Sequence, residues 1–303
     1  MVSTQPSTSI SIVIPLHNEE NRVVQCKERL LSYFKEKQWD FELIFVQDNS
    51  TDNTSSILNG FSLSESRIRI LNLQTRLGKG GSIMYTGLSQ PIKKYIAYMD
   101  VDLAADPSEL ERLIEYIEDY DIVMGSRILR GDLMPIRRPF YRSLLSHSYS
   151  RLFRILFRSS IRDPQCGFKL FREEIISKLF DDVIVTNFGF DTDMLVTAFS
   201  QGLRVKEIPI NWTNGDFSTV SVLAEIRSMG IDLLSIWYRF HLKWKEGKNT
   251  YPQKKGSRLG RLLFAILNSS NRIRSRHLKY LDIKSVITNQ IKNDVELNPN
   301  ISI

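Results

Sequence analysis

Apolar and polar positions follow two rhythms over the first two-thirds of the chain. Short β-branched and aromatic runs at Ile10–Pro15, Glu42–Gln47, Arg67–Leu73, Tyr95–Asp100 and Asp121–Ser126 predict buried strands. Between them, Val23, Val24, Leu30, Leu31 and Phe34 recur near the helical period, and Lys79–Leu88 and Pro107–Tyr116 predict two further helices. Strands separated by helices predict an α/β fold, a mostly parallel sheet with helices on both faces. Ligands of such sheets bind beyond the carboxyl ends of the strands. The loops beginning at Leu16, Asp48, Gln74, Val101 and Arg127 are therefore where chemistry is expected.

After Gly125 the pattern changes. Arg127 to Arg162 interleaves arginines with aromatics, and Val220 to Lys245 is a second amphipathic, aromatic-rich stretch. Lys248–Arg258 has linker composition. The expected division is a catalytic domain over 1–219, an amphipathic helix over 220–247 that packs or faces a membrane, and a linker and tail over 248–303, with C-terminal amphipathic helices appended to the sheet domain.

Composition narrows the partners. The 303 residues are 42% hydrophobic and 25% charged, a globular profile. A net charge of +7 favours anionic ligands: phosphorylated molecules, anionic lipid or nucleic acid. No nucleic-acid module is recognisable, so no nucleic-acid partner is expected. Cys26 and Cys166 have no ligand spacing and read as small buried apolar residues in a reducing setting. The polar start, Met1 to Ser9, does not read as a signal peptide. No apolar run reaches about 18 residues. The expected location is cytoplasmic, peripheral at the cytosolic face of a membrane.

Three segments could carry chemistry. Asp100-Val101-Asp102 ends an apolar strand, and alternate residues of an extended chain point to one side. Two carboxylates so placed suit a hard cation, Mg²⁺ or Mn²⁺, with diphosphate oxygens; the alternative is an exposed turn. Arg76-Leu77-Gly78-Lys79-Gly80-Gly81-Ser82 combines glycines, which let main-chain amides approach a phosphate, with Lys79; the alternative is a turn before a helix. It has neither the Walker nor the dinucleotide spacing. Pro15-Leu16-His17-Asn18-Glu19-Glu20 follows the first strand, where Asn18 or Glu19 suits base or ribose hydroxyls and the alternative is helix capping by Asn18. The four histidines are dispersed and carry no assigned role.

Together these segments resemble glycosyltransferase family 2, enzymes of the GT-A (Rossmann-like) fold. The family's V-I-P-x-x-N-E appears as Val13 to Glu19, and its V-D-D-G-S-x-D as Val46 to Asp52, with Gln47 in place of the first acid and Asn49 in place of the glycine. Ile161-Arg162-Asp163-Pro164-Gln165-Cys166-Gly167-Phe168-Lys169-Leu170-Phe171 is similar to a segment of the dolichyl-phosphate β-glucosyltransferases. Phe190–Asp193, Asn211–Thr213 and Met229–Leu234 also match. The related mannose synthases share the layout. The lysine expected after Asn-Trp-Thr is missing, Phe217-Ser218-Thr219 standing there, and the membrane segments of those enzymes are absent.

The resemblance implies inverting transfer of a hexose from a nucleotide sugar, UDP-glucose ahead of GDP-mannose, to a polyprenyl or dolichyl phosphate. It implies a nucleotide-sugar site at Pro15, Asn18, Glu19, Asp48, Lys79 and Asp100, with a metal on Asp100 and Asp102. Arg127, Arg142, Ser146 and Lys169 would hold the acceptor phosphate. Asp102, Asp191 and Arg127 would act at the reacting centre, Asp191 orienting sugar hydroxyls or an arginine unless it is only a helix N-terminal acid. The helix containing Arg142, Arg151, Arg154 and Arg158, with Tyr149, Leu152, Phe153, Leu156 and Phe157 between them, is expected at a lipid interface; the alternative is packing on the core with a solvated basic face. A soluble sugar or polysaccharide acceptor is the competing reading, although the Gln-x-x-Arg-Trp of processive members is missing.

Overall fold

The computed structural model describes residues 8–90, 92–129, 140–213, 222–245 and 281–292. β1 (Ser9–Leu16), β2 (Asp40–Asp48), β3 (Ile68–Leu73), β4 (Tyr95–Met99) and β5 (Ile122–Ser126) fall on the five predicted runs. β6 (Phe168–Arg172) and β7 (Val205–Pro209) were not anticipated and complete one sheet in the order β3-β2-β1-β4-β6-β5-β7. β6 runs antiparallel to both β4 and β5; the other pairings are parallel. This insertion makes the sheet mixed, and it places the end of the Ile161–Phe171 segment, Phe168 to Phe171, between β4 and β5.

α1 (Val23–Lys35) buries Val23, Cys26, Leu30 and Phe34, the stripe that the helical period predicts. α3 (Gly78–Ser89) and α4 (Glu109–Ile117) match their predicted spans closely. α2 (Thr54–Ser64) escaped the sequence because Ser, Asn and Gly dilute its pattern; Leu58 and Phe61 are buried and Ile57 packs against the core. α6 (Ile176–Asp182) and α7 (Phe190–Ser200) follow β6.

α5 (Phe140–Phe157) and α8 (Val222–Lys245) pack against each other. Phe153 and Phe157 lie in the core, as do Leu233, Ile236, Trp237, Tyr238 and Phe240 of α8. Burying each such phenyl ring contributes about 1.5–3 kcal/mol. The aromatic side of α5, expected in lipid, is therefore turned into the protein. Residues 281–292 form one more helix, α9, whose Ile287 and Ile291 join the same hydrophobic cluster. Among the described residues, no helix is long and apolar enough to cross a membrane.

Candidate active site

Asp100 does not end β4 in extended form. The strand stops at Met99, and the Leu103 amide donates to the Asp100 carbonyl at 3.0 Å. Asp100 and Asp102 thus sit in a tight turn, not on one side of a strand. Leu103 takes a positive φ of 46° to close it. Asp102 accepts the Ala104 amide at 3.1 Å. Burial, then the charge of Asp100, raises the Asp102 carboxyl above its ordinary range. Lys79 answers the negative charge, its ammonium 2.5 Å from Asp100 Oδ1. Among the described residues, no three His, Cys, Asp or Glu side chains converge as a metal cluster. A hard divalent ion takes six or more oxygens, and water and phosphate oxygens supply those the protein does not. Two crowded carboxylates with one raised pKa fit that donor set.

The loops after β1 and β2 are laced together. Asn18 adopts φ 57°, its amide donates to Ser50 Oγ at 3.0 Å, and its side-chain oxygen accepts the Thr51 amide at 2.8 Å. It does not cap α1, whose N-cap is Arg22. Glu19 accepts Arg22 Nε at 2.7 Å, and its carboxyl is raised chiefly by burial, with smaller contributions from Asp102 and Asp52. Gln47, in the place of the family's acid, donates to Ser55 Oγ at 2.6 Å and accepts the Asn49 amide at 3.1 Å. Pro15 is half-buried at the end of β1. His17 Nδ1 donates to the Asp48 carbonyl at 2.8 Å, a structural tie.

The glycine-rich segment is not a phosphate cradle. The Leu77 and Gly78 amides donate to the two carboxylate oxygens of Asp48, at 2.6 and 2.7 Å. The Gly80 and Gly81 amides donate to the Thr186 carbonyl at 2.8 and 3.2 Å. With four amides committed, the glycines serve close packing: a Cβ on Gly80 would overlap the Phe190 ring, and Gly78 sits at φ 81°. Asp48 is buried and fastens this turn to the end of β2. Lys79 is the part of the segment that reaches the carboxylate pair.

Register explains the buried charges beneath that pair. Tyr98 of β4 lies opposite Lys169 of β6, so both side chains share a face. The Tyr98 hydroxyl donates to Asp191, and Lys169 Nζ lies 2.5 Å from the same oxygen. Lys169 also donates to the Cys166 carbonyl at 2.6 Å and the Pro164 carbonyl at 3.4 Å. It is 0% exposed, and its three protons have three acceptors. Lys169 therefore does not hold an acceptor phosphate; it neutralises Asp191. Asp191, on the first turn of α7, pairs with this lysine rather than with an arginine. Tyr98 was missed because a tyrosine in an apolar strand reads as core.

Arg127 follows β5 and is gripped by Asp163, Nε and Nη2 each 2.7 Å from one carboxylate oxygen. Burial pulls the Asp163 carboxyl upward, but Arg127 holds it below the ordinary carboxylate range. The guanidinium lies 5.1 Å from the centre of the Trp212 ring, and the charge of Asp100 is among those it feels. The Asn-Trp-Thr element closes this corner. Thr213 donates to the Ala104 carbonyl at 2.7 Å, Asn211 to Glu109 at 2.5 Å, and Trp212 bridges to Ala105.

Several residues of the Ile161–Phe171 segment hold the site together. Asp163 clamps Arg127. Gln165 donates to Thr192 of α7 at 2.9 Å and to Tyr149 of α5 at 3.3 Å. Cys166 is buried, and like Cys26 its thiol is pushed up to about 12, chiefly by burial. A Cβ on Gly167 would overlap Asp100 Oδ2 and lie 2.8 Å from Lys79 Nζ. Gly167→Ala should therefore lower turnover by on the order of 10²-fold, the cost of ångström-scale misplacement. Tm should change little, because the strain falls on solvent-reaching side chains; unchanged turnover in a steady-state assay would refute this role.

The arginines expected to hold an acceptor phosphate are only partly within the described residues. The Arg142 side chain, residues Arg137 to Pro139 and Phe217 to Thr219 lie outside the described residues. Ser146 is half-buried on α5. The outer face of α5 exposes Leu152 and Ile155, at 41% and 63%, among exposed Arg151 and Arg154, with Arg158 just beyond.

Residues 11–180 match the sequence model of Glycosyl transferase family 2, more than half of the chain. Over 250 residues the chain is 34% identical to glycosyltransferase AglD of Haloferax volcanii, covering 80% of this chain but 39% of that protein. It is 32% identical to the dolichyl-phosphate beta-glucosyltransferase of Drosophila melanogaster, covering 78% of this chain and 76% of that one. Glucosyl-3-phosphoglycerate synthase of Mycobacterium tuberculosis, solved with Mn²⁺, UDP-glucose and phosphoglyceric acid, superposes with a TM-score of 0.56 at 18% identity, over 76% of this chain and 80% of that one, a likeness of fold. With its sheet, its acidic turn and its sequence kinship in agreement, the chain belongs to glycosyltransferase family 2, the GT-A enzymes.

Proposed function

We propose that the chain transfers a hexose, with inversion, from a nucleotide sugar to a polyprenyl or dolichyl phosphate, with UDP-glucose preferred to GDP-mannose. The carrying observation is that Asp100, Asp102, Lys79 and Arg127 gather acidic and basic groups at the carboxyl ends of β4 and β5, where two anions must meet. The dolichyl-phosphate beta-glucosyltransferases matched over most of both chains support the lipid phosphate and the glucosyl donor. The proposed units are the catalytic domain with α8 packed on it, then the linker and tail.

In this reading Asp100 and Asp102 hold Mg²⁺ or Mn²⁺, as the solved relatives with either ion and UDP suggest. The ion supplies charge neutralisation on the leaving diphosphate. Lys79 is placed to turn from Asp100 to a phosphate oxygen. Pro15, Asn18 and Glu19 line the nucleotide side of the loop pair. The acceptor needs no general base, because a phosphate monoester has its second pKa near about 6 and is already ionised. Arg127 orients that phosphate by the guanidinium edge not engaged by Asp163, with Arg142 and Ser146 beside it. Asp191, its charge balanced by Lys169, faces the sugar. The exposed Leu152 and Ile155 among arginines suit peripheral contact with an anionic membrane at its cytosolic face.

Radiolabelled transfer decides the reading. UDP-glucose with polyprenyl phosphate and a divalent ion should give labelled lipid, GDP-mannose far less. Label appearing in a water-soluble sugar or phosphate but not in lipid would replace the lipid acceptor with a soluble one.

A further inference from the structure

α9 lies far along the chain from every motif, yet it packs beside the glycine turn. Ile283, Ile287 and Ile291 recur every four residues; Ile287 and Ile291 are buried, and Ile283 packs against the cluster. A Cβ on Gly81 would lie 3.7 Å from Ile287 Cδ1 and 2.5 Å from Leu77 Cβ, so Ile287 covers the start of α3. Leu77 is the residue whose amide binds Asp48.

Lys284 makes a second attachment. Its ammonium donates to the carbonyls of Phe180 at 2.6 Å, of Val183 at 3.0 Å, and of Asp181. These groups surround the end of α6, where a helix leaves carbonyls without partners and presents its negative pole. A lysine from a distant helix thus caps α6.

The segment from Val183 to Gly189 begins under Lys284 and leads into the site. The Ile184 and Val185 amides donate to Asp193, at 2.9 and 3.0 Å, and Arg239 of α8 pairs with the same carboxylate. The Thr186 carbonyl accepts the Gly80 and Gly81 amides. Next come Phe190, which fills the space left by Gly80, and Asp191.

We propose that Lys284 and Ile287 are positioning residues for the nucleotide-sugar site. By clamping the 183–189 segment and the glycine turn, α9 holds Lys79 and Asp191 in place around Asp100. The inference rests on the reading of this site as the donor site. α9 then serves donor binding as well as stability.

The test uses the full chain with Lys284→Met, Ile287→Ala, Ile287→Val and Lys284→Arg, each titrated with UDP and Mn²⁺ by calorimetry and followed by hydrogen exchange. Lys284→Met and Ile287→Ala should each weaken UDP binding by about tenfold, the equivalent of one lost buried hydrogen-bond set or methyl packing. They should speed exchange in residues 77–82 and 183–191 and raise the donor KM without raising the acceptor KM. Lys284→Arg should restore most of the affinity, since a guanidinium also donates to several carbonyls. Folded variants that bind UDP as tightly as the parent would overturn the proposal. If Lys284→Met and Ile287→Ala fail to fold, Ile287→Val decides: parental affinity and exchange overturn it, weaker binding supports it. A parent chain that binds no UDP would instead remove the donor-site reading, and this inference with it.

Discussion

Asp102→Asn should lower hexose transfer by about 10²–10³-fold, the range seen when one group that stabilises transition-state charge is removed. The amide keeps the size of the side chain and still accepts the Ala104 amide, so the turn from Asp100 to Leu103 should persist. What is lost is one of the two charges that would face the proposed cation. The raised pKa of Asp102 marks a carboxylate that burial and Asp100 both oppose, so a divalent ion should stabilise the parent protein. Scanning calorimetry should show Mn²⁺ raising the parent Tm and failing to raise that of Asp102→Asn. Full activity in the variant, or in the parent with EDTA, would remove the metal from the mechanism.

Lys169→Met is the second large effect, and it lies in stability. The substitution leaves Asp191 buried against Tyr98 with no cation in contact. Breaking a buried pair from one side costs about 3–5 kcal/mol, because the remaining charge keeps only the Tyr98 hydroxyl and has no counter-ion. Urea unfolding should show that loss. Lys169→Met with Asp191→Leu, which removes both charges, should recover much of it while transfer stays low. Had Lys169 been an acceptor-phosphate ligand, Lys169→Met would raise the acceptor KM at unchanged stability. That opposite pattern would overturn the assignment made from its burial.

The Ile161–Phe171 segment shows where legibility ends. Its resemblance to a family was readable, and so was its importance. Its tasks were not, because each is a contact with a distant residue: Asp163 with Arg127, Gln165 with Tyr149 and Thr192, Gly167 with Asp100, Lys169 with Asp191. The glycine turn misled for the same reason. Glycines that free amides for a phosphate and glycines that admit a neighbouring chain have one appearance in sequence, and Thr186 was the neighbour.

The family resemblance indicated Arg127; the sequence by itself determined the five strands β1 to β5 and the stripe of α1, and singled out Asp100, Asp102 and Lys79 as candidates. Those follow from local periodicity and from residue types that carry their own chemistry. Only the tertiary structure decided that β6 enters the sheet antiparallel between β4 and β5. From that register comes the Tyr98–Lys169–Asp191 cluster that occupies Lys169, and the packing of α5 on α8 and the core turns Phe153 and Phe157 away from solvent. The physical reason is that a buried charge or a packed ring is defined by its partner. The partner here is 22 residues away for Lys169 and Asp191, and 93 for Tyr98 and Asp191, distances over which local pattern carries no information.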